Sequence, residues 1–424
     1  MYVSILFVVL SALSVFSSVQ GFVLLAVARK PVRGPREELR RRVSVLVPCF
    51  NEEKVLRETI DSILASRGVE FDRVICVDDG STDGTLEVMH EAQRRHGEVL
   101  LVLRQRNRGK AAALNHALTA VGTEFFASVD ADTQLLPDTL ARLLEHFTDP
   151  RVAAVSGQMI VGNRHPAQDF VYAAQVREYE SANNIERRAF AHGRRITVIP
   201  GAIGAFRRSA VAEAGGYPEG TLAEDAHLTL ALLLNGHRTT HEASSTVLTE
   251  APDTMAGLRR QRVRWATGKT QVLLRVANPA LRRGGLAAAL WLYLTWNNSI
   301  LPLVWLPSAV LLPFSAVALL TRGPETVTWV AAVCVLTLAV NYGYFVVSRR
   351  YARSIDAAGR AAAGLVEVRT GFRSTVVIPL VSSLATWVAW ARILTGRPGG
   401  WDKLDRSGDV RVQAFSAKGA LDAD

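Results

Sequence analysis

The sequence predicts an α/β domain set between membrane-spanning helices, and three observations carry that expectation. Residues 2–28 hold no charged side chain and are mostly apolar, long enough to cross a bilayer, and comparable apolar stretches return after Arg283. Between them, from Val43 onward, short runs rich in Val, Ile and Leu alternate with segments whose apolar residues recur at helical spacing. Several of those runs end in acidic residues, which a parallel sheet would gather along one rim.

At 424 residues the chain can bury a sizeable core, in one large domain or two. Its net charge is +10, from 49 Lys and Arg against 39 Asp and Glu, and the excess is clustered. Arg29, Lys30, Arg33, Arg36, Arg40, Arg41 and Arg42 follow the first apolar stretch, and a second basic group runs from Arg349 to Arg373. Beside long apolar stretches, such clusters fit the cytoplasmic face of a cell membrane better than nucleic acid, so membrane lipids are expected partners and nucleic acid is not. Cys49, Cys76 and Cys334 lie in apolar runs without metal-ligand spacing, which reads as buried packing thiols and no disulfide framework.

Taken in order, residues 1–28 lack the basic start of a secretory signal and carry their positive charge afterwards. That places the N-terminus outside and Arg29 onward in the cytoplasm, with a cleaved signal as the alternative. Residues 29–42 form a basic linker, and α/β grammar fills residues 43–283. A strand over 43–48 stops at Pro48; a helix over 52–66 places Val55, Leu56, Ile60, Ile63 and Leu64 on one face. A second strand, 73–77, ends in Asp78-Asp79, a helix follows over 86–95, and a third strand covers 99–103. Asn107 to Asn115 is a turn entering an alanine-rich helix. Lys110 at its start is placed for a phosphate or ring oxygen, or else is a solvated surface lysine. Residues 125–129 form an apolar strand that delivers Asp130-Ala131-Asp132 to the rim. Two such carboxylates repel unless a cation sits between them, and oxygen ligands at this density suit Mg2+ or Mn2+. The alternative is an Asx turn or cap at Asp132-Thr133 that opens a helix from Pro137.

The second half continues with a strand over 152–156 and one amphipathic helix over 168–188. In residues 196–208, Gly201, Ala202 and Gly204 let backbone approach a ligand closely, a plain strand and turn being the other reading. Glu224 and Asp225 open the next helix. They either satisfy its dipole or, after a glycine-rich loop in a chain with two acidic strand ends, supply a general base. Gln261, Arg262, Arg264 and Trp265 then crowd into one segment, an indole face for a sugar ring beside guanidinium forks for phosphate. A basic helix lying on lipid headgroups is the competing account. Residues 284–395 read as an interfacial helix leading into a span that ends at Leu320, a turn over 321–326, a span over 327–347, a basic amphipathic segment over 349–373 and a last span over 376–394. The tail, 396–424, is polar.

The order of these motifs carries a resemblance. Asp79 after a strand, Asp130-Ala131-Asp132, Glu224-Asp225 and Gln261-Arg262-Val263-Arg264-Trp265, bracketed by apolar spans, resemble the membrane-embedded processive glycosyltransferases of family 2. These are the synthases of poly-N-acetylglucosamine, hyaluronan, chitin oligosaccharides and cellulose. The likeness runs from about Val43 to the end and leans to the poly-N-acetylglucosamine branch through residues 45–53, 109–115 and 204–208. It departs from that branch at Ala223, where Thr is usual, and at His227, where an acid is usual.

The resemblance implies a GT-A (Rossmann-like) domain and a processive, inverting transfer of N-acetylglucosamine from UDP-GlcNAc to a growing β-linked polysaccharide exported through the membrane. By position, Asp79 would contact uracil with Asn51 and Glu52 nearby, and Lys110 would help hold the nucleotide. Asp130 and Asp132 would bind the nucleotide sugar and an Mg or Mn ion, with Asp132 the direct ligand. Asp225 would be the base, with Glu224 beside it on the acceptor side. Gln261 and Arg264 would secure the donor diphosphate and acceptor end, and Trp265 would stack on the acceptor sugar. Asn297, Asn298, Trp291 and Trp296 are candidate channel-lining groups, or else packing and interfacial anchors. The alternatives are a synthase using another UDP-sugar, a transferase that adds one sugar to a lipid carrier, and an inactive subunit. An accessory membrane subunit is a further possible partner.

Overall fold

A computed structural model describes residues 2–30, 41–163, 168–179, 184–321, 323–365, 372–397, 408 and 410; the side chains of 356–358, 362 and 372–375 are outside it. Helix α1 (Tyr2–Ala28) precedes strand β1 (Arg41–Cys49), helix α2 (Leu56–Leu64), strand β2 (Val69–Asp78), helix α3 (Thr85–His96), strand β3 (Leu100–Arg104), helix α4 (Lys110–Leu118) and strand β4 (Phe125–Ser128). Strand β1 lies between β2 and β4, parallel to both. Its alternation sends Val43, Val45 and Val47 to one apolar layer and Leu46 to the other, so both faces are buried. The helices α2 and α3 cover the first layer, and α4 covers the second.

Strand β5 (Thr133–Leu135), helix α5 (Thr139–Leu144), strand β6 (Val152–Val161), helices α6 (Asp169–Glu178) and α7 (Asn184–His192), strand β7 (Gly204–Arg207), helices α8 (Arg208–Glu213) and α9 (Glu224–Leu234) and strand β8 (Arg238–Thr249) complete the domain. The sheet order is β3-β2-β1-β4-β7-β6-β8-β5. It is mixed, where the alternation of strands and helices predicts a parallel sheet. Strand β7 runs antiparallel to β4 and β6, and β5 antiparallel to β8. The reason is the route of the chain: Gly204 pairs with Ser128 at the carboxyl end of β4, so residues 196–203 cross the acidic rim before β7 descends into the sheet. The 168–188 helix is divided between α6 and α7, with 180–183 outside the described residues. Asp132 does not cap a helix, because Thr133 enters β5 and pairs with Thr249; the helix expected from Pro137 is α5, which begins at Thr139.

Helix α10 (Met255–Arg283) starts at Thr254, whose side chain accepts from Gly257 N–H at 3.2 Å. Helix α11 (Gly285–Thr295) passes through a π turn (Trp296–Ile300) into α12 (Leu301–Leu320), so the expected interfacial helix and span form one helical run. Helix α13 (Pro324–Ala362) begins earlier than the expected span and absorbs much of the 349–373 segment; α14 (Phe372–Leu394) contains the last span. Among the described residues four helical runs are long and apolar enough to cross a membrane: Tyr2–Ala28, Gly285–Leu320, Pro324–Ile355 and Val376–Leu394. Polar groups tie the first to the others. Ser18 Oγ donates to Asn341 at 2.8 Å, and Gln20 donates to Asn297 at 3.1 Å. Most of the 29–42 linker and of the 396–424 tail lies outside the described residues.

Candidate active site

The rim is assembled from loops that hold one another. Asn51 adopts a left-handed backbone (φ 56°), and its side chain accepts from Thr82 N–H at 2.7 Å while its own N–H donates to Ser81 Oγ at 2.9 Å. The buried Glu52 donates its N–H to Thr85 Oγ1 at 2.6 Å. The loops after β1 and β2 are thereby locked together. Asp79, also buried, accepts from Gln105 Nε2 at 2.8 Å and from the backbone N–H groups of Arg108 at 2.9 Å and Gly109 at 2.8 Å. Those bonds set the turn in which Gly109, at φ 91°, starts α4 with Lys110.

Lys110 is an ion-pair partner rather than a solvated lysine. Its Nζ pairs with Asp130 and lies 3.5 Å from Glu224 Oε1. Burial works against its charge, and the carboxylates of Asp130 and Glu224 outweigh that, so its pKa stands above the ordinary lysine value. Asp130 and Asp132 sit in the turn between β4 and β5, where Thr133 N–H donates to Asp130 O at 3.0 Å. Asp132 is buried, and the Asp130 side chain is 32% exposed. Gly201 packs on this pair: a Cβ there would stand 3.1 Å from both carboxylate oxygens of Asp130 and would meet Lys110 Nζ. The expected close backbone approach is therefore to the protein's own ion pair.

Glu224 and Asp225 open α9, whose cap residue Ala223 makes no side-chain bond. Asp225 accepts from Ala226 N–H at 2.7 Å. Burial, with the neighbouring Glu224, pushes its carboxyl up to about 6 against the pull of Lys110. On α10, Gln261, Arg264 and Trp265 share one face, as the i, i+3, i+4 spacing requires. Arg262 turns away to pair with Glu178, and its guanidinium lies 4.4 Å from the Trp265 ring centroid. Arg259 and Arg260 are exposed.

One cavity of about 250 Å3 joins these groups, with Lys110, Asp130, Asp132, Glu224, Asp225, Gln261, Arg264 and Trp265 in its wall, together with Leu294 and Asn298 from the Gly285–Leu320 run. Gln261 Oε1 is buried in that wall without a hydrogen-bond partner among the described residues. Asn51, Glu52 and Asp79 do not line the cavity; they stand on the adjoining loops. Of the four candidate channel groups only Asn298 lines it. Asn297 is taken by Gln20, Trp291 donates to Leu273 O at 2.9 Å, and Trp296 lies edge-on to Phe16. The sequence reading missed Glu186, Arg187 and Lys269, which also face the cavity. Lys269 had a faint signal, one helical turn beyond Trp265 on the same face. Burial lowers its pKa and raises that of Glu186. Among the described residues no cluster of three or more His, Cys, Asp or Glu side chains is set to hold a metal; Asp130 and Asp132 offer two carboxylates.

Residues 44–215 match the profile of glycosyl transferase family 2. The chain carries a family 2 glycosyltransferase domain. This domain region is similar to the poly-β-1,6-N-acetyl-D-glucosamine synthase of Staphylococcus aureus (strain COL), 31% identical over 234 residues, which are 55% of this chain and 56% of that one. The synthase of the same name from Staphylococcus epidermidis is 29% identical over 264 residues, 62% of each chain. The chain thus spans less than two thirds of these relatives. The mannosyltransferase of Pyrobaculum calidifontis, solved in complex with GDP-Man and Mn2+, superposes with a TM-score of 0.64 at 22% identity, covering 93% of this chain and 99% of that one. The family 2 domain is of the GT-A type, a mixed sheet with helices on both faces, followed by the apolar helices.

Proposed function

We propose that the protein polymerises N-acetylglucosamine, transferring it with inversion from UDP-GlcNAc to the end of a growing β-linked chain. The observation that carries this is the continuity of the cavity. The same cavity is lined by Asp130, Asp132 and Asp225, by Gln261 and Trp265, and by Asn298 on a helical run apolar enough to cross a membrane. The names of the staphylococcal relatives and the full set of motifs, in order, support the choice of donor.

In this reading Asp225 takes the proton of the attacking sugar hydroxyl, a task suited to a carboxyl raised to about 6. Lys110 and Arg264 place positive charge where the diphosphate leaves. Asp130 and Asp132 would hold a divalent cation, a pair that fits Mg2+ or Mn2+ because such ions take one or two carboxylates and complete their sphere with water and phosphate oxygens. The cation would supply Lewis-acid stabilisation of the departing UDP. Trp265, braced by Arg262, stacks on the acceptor sugar. Asn51, Glu52 and Asp79 shape the loops that receive the uracil. Processive growth and export past the membrane helices follow if the product leaves by way of Asn298, with the domain on the cytoplasmic side where the basic 29–42 segment belongs.

The test is product formation by purified, detergent-solubilised protein with Mg2+ or Mn2+ and each of UDP-GlcNAc, UDP-glucose and UDP-glucuronate, followed by sizing and digestion with linkage-specific hydrolases. A long polymer from UDP-GlcNAc alone is the expected product. A single sugar on co-purifying lipid would replace this reading with a lipid glycosyltransferase.

A further inference from the structure

The cavity has a second polar group, two of whose three members are remote in sequence from every motif. Glu186 and Arg187 come from α7, and Lys269 comes from α10. Lys269 lies four residues beyond Trp265 and eight beyond Gln261, so the three share a helix face, each step rising about 6 Å. The Lys269 ammonium makes no hydrogen bond or ion pair among the described residues. Arg187 Nη1 is buried without a partner among them. Glu186 is oriented by Tyr293 OH, which donates to Oε1 at 3.2 Å. A cavity wall that holds unpartnered donors of this strength is built for a polar occupant.

The charge pattern identifies the occupant. A phosphate can only accept, and here it would face the carboxylate of Glu186, with Asp225 also in electrostatic reach of both cations. A sugar hydroxyl both donates and accepts, which matches a carboxylate interleaved with an ammonium and a guanidinium. Phe190, also in the wall and edge-on to Tyr293 at 5.2 Å, supplies the apolar surface on which a pyranose ring rests.

We infer that Glu186, Arg187 and Lys269 form a second acceptor subsite, which holds the sugar next to the reacting end of the chain. The inference rests on the polymerase reading and deepens it. The reacting sugar lies on Trp265, its neighbour lies one helical turn further along α10, and the chain continues toward Asn298. Such a subsite makes the enzyme prefer an acceptor that already has two or more sugars.

The test is elongation of β-linked N-acetylglucosamine mono-, di- and trisaccharides by the solubilised full chain with UDP-GlcNAc, read as the ratio of kcat/KM for the trisaccharide to that for the monosaccharide. Lys269→Met and Glu186→Gln are expected to shrink that ratio by about tenfold or more, chiefly through KM, since each removes a charge-assisted hydrogen bond. Lys269→Arg is expected to restore most of it, which a merely structural lysine would not require. An unchanged ratio in both variants, with normal transfer by the unaltered protein, overturns the subsite and leaves the polymerase reading standing. An equal loss on all three acceptors also overturns it. Transfer by the unaltered protein only to a phosphate-bearing lipid would overturn both.

Discussion

Gly201→Ala isolates the contact between the chain crossing the rim and the Lys110–Asp130 pair. Gly201 is not in the left-handed backbone region, so alanine is compatible with its conformation and the effect is confined to the added methyl. That methyl would stand 3.1 Å from both Asp130 oxygens, inside ordinary van der Waals distance, and would meet Lys110 Nζ. The ammonium must leave, and the Asp130 carboxylate must shift by a few tenths of an ångström or more. Misplacement of reacting groups on the scale of 1 Å costs about 100-fold in rate, or about 2.7 kcal/mol of barrier. The expected result is a fall in kcat of that order with little change in thermal unfolding. Gly204→Ala is the contrast: its Cβ would meet Ile199 and would stand 2.9 Å from the Phe206 ring, so it should lower stability first. Turnover of Gly201→Ala within twofold of the unaltered protein would refute the claim that this glycine serves the ion pair.

Asp225→Asn is expected to lower transfer by about 100-fold or more while UDP still binds by calorimetry; near-normal turnover would remove Asp225 from the base role. With a carboxyl at about 6, activity should rise as pH passes through that value, and a profile flat between pH 5 and 7 would refute it. The same shift works the other way on stability. The folded value lies above the ordinary 3.8, so this group stabilises most below pH about 4, and that contribution is lost as pH rises through about 6. A chelator is expected to abolish transfer and Mg2+ or Mn2+ to restore it, with Asp132→Ala raising the cation concentration needed about tenfold or more; activity that survives chelation would remove the metal from the site. Glu178→Ala leaves the Arg262 guanidinium, 4% exposed, without its partner, which costs about 3 to 5 kcal/mol in thermal or chemical unfolding; an unchanged midpoint would show the pair to be dispensable.

The strands β1, β2 and β4 were legible because each holds a short apolar run, at 45–47, 74–77 and 125–127, and the acids that follow were legible with them; the polar first half of β2, from Val69, was not. Strand β8 was not, because its sequence is polar. Thr239, Thr240, His241, Ser245 and Thr246 are nonetheless buried. They are buried because partners meet them: Thr239 Oγ1 donates to Ile196 O at 2.7 Å, His241 lies 3.1 Å from Ser156 O and 3.2 Å from Gln158 Oε1, and Ser245 Oγ donates to Thr139 O at 3.0 Å. Hydropathy cannot see a strand whose polar groups find their partners only in the folded sheet. The antiparallel entry of β7 was hidden for a related reason: strand direction depends on where residues 196–203 travel, and their sequence records only that they are mostly apolar, with small residues at Gly201 and Ala202. Gly201 was legible as a close approach, but the object approached was not. Glu186 and Arg187 carry no spacing relation to Lys269, since only the packing of α7 against the cavity brings them together.

The placement of Lys110 is the consequence of a chain of local bonds that starts at Asp79. Asp79 spends its carboxylate on the backbone of Arg108 and Gly109, which fixes where α4 begins, and Lys110 is the first residue of that helix. From there the ammonium reaches Asp130, with Glu224 at 3.5 Å, and Gly201 is the residue whose lack of a side chain leaves room for it. Asp130, Asp132, Glu224 and Asp225 face one cavity together with Glu186 and Glu250, and Lys110, Arg187, Arg264 and Lys269 are the nearby cations. The acids gathered around Lys110 are thus one part of the wall, and Lys269 and Arg187 Nη1, which find no hydrogen-bond partner among the described residues, stand with Glu186 in another. That asymmetry suits a donor whose diphosphate brings its own cation to the first part, and an acceptor whose neutral hydroxyls are held at the other.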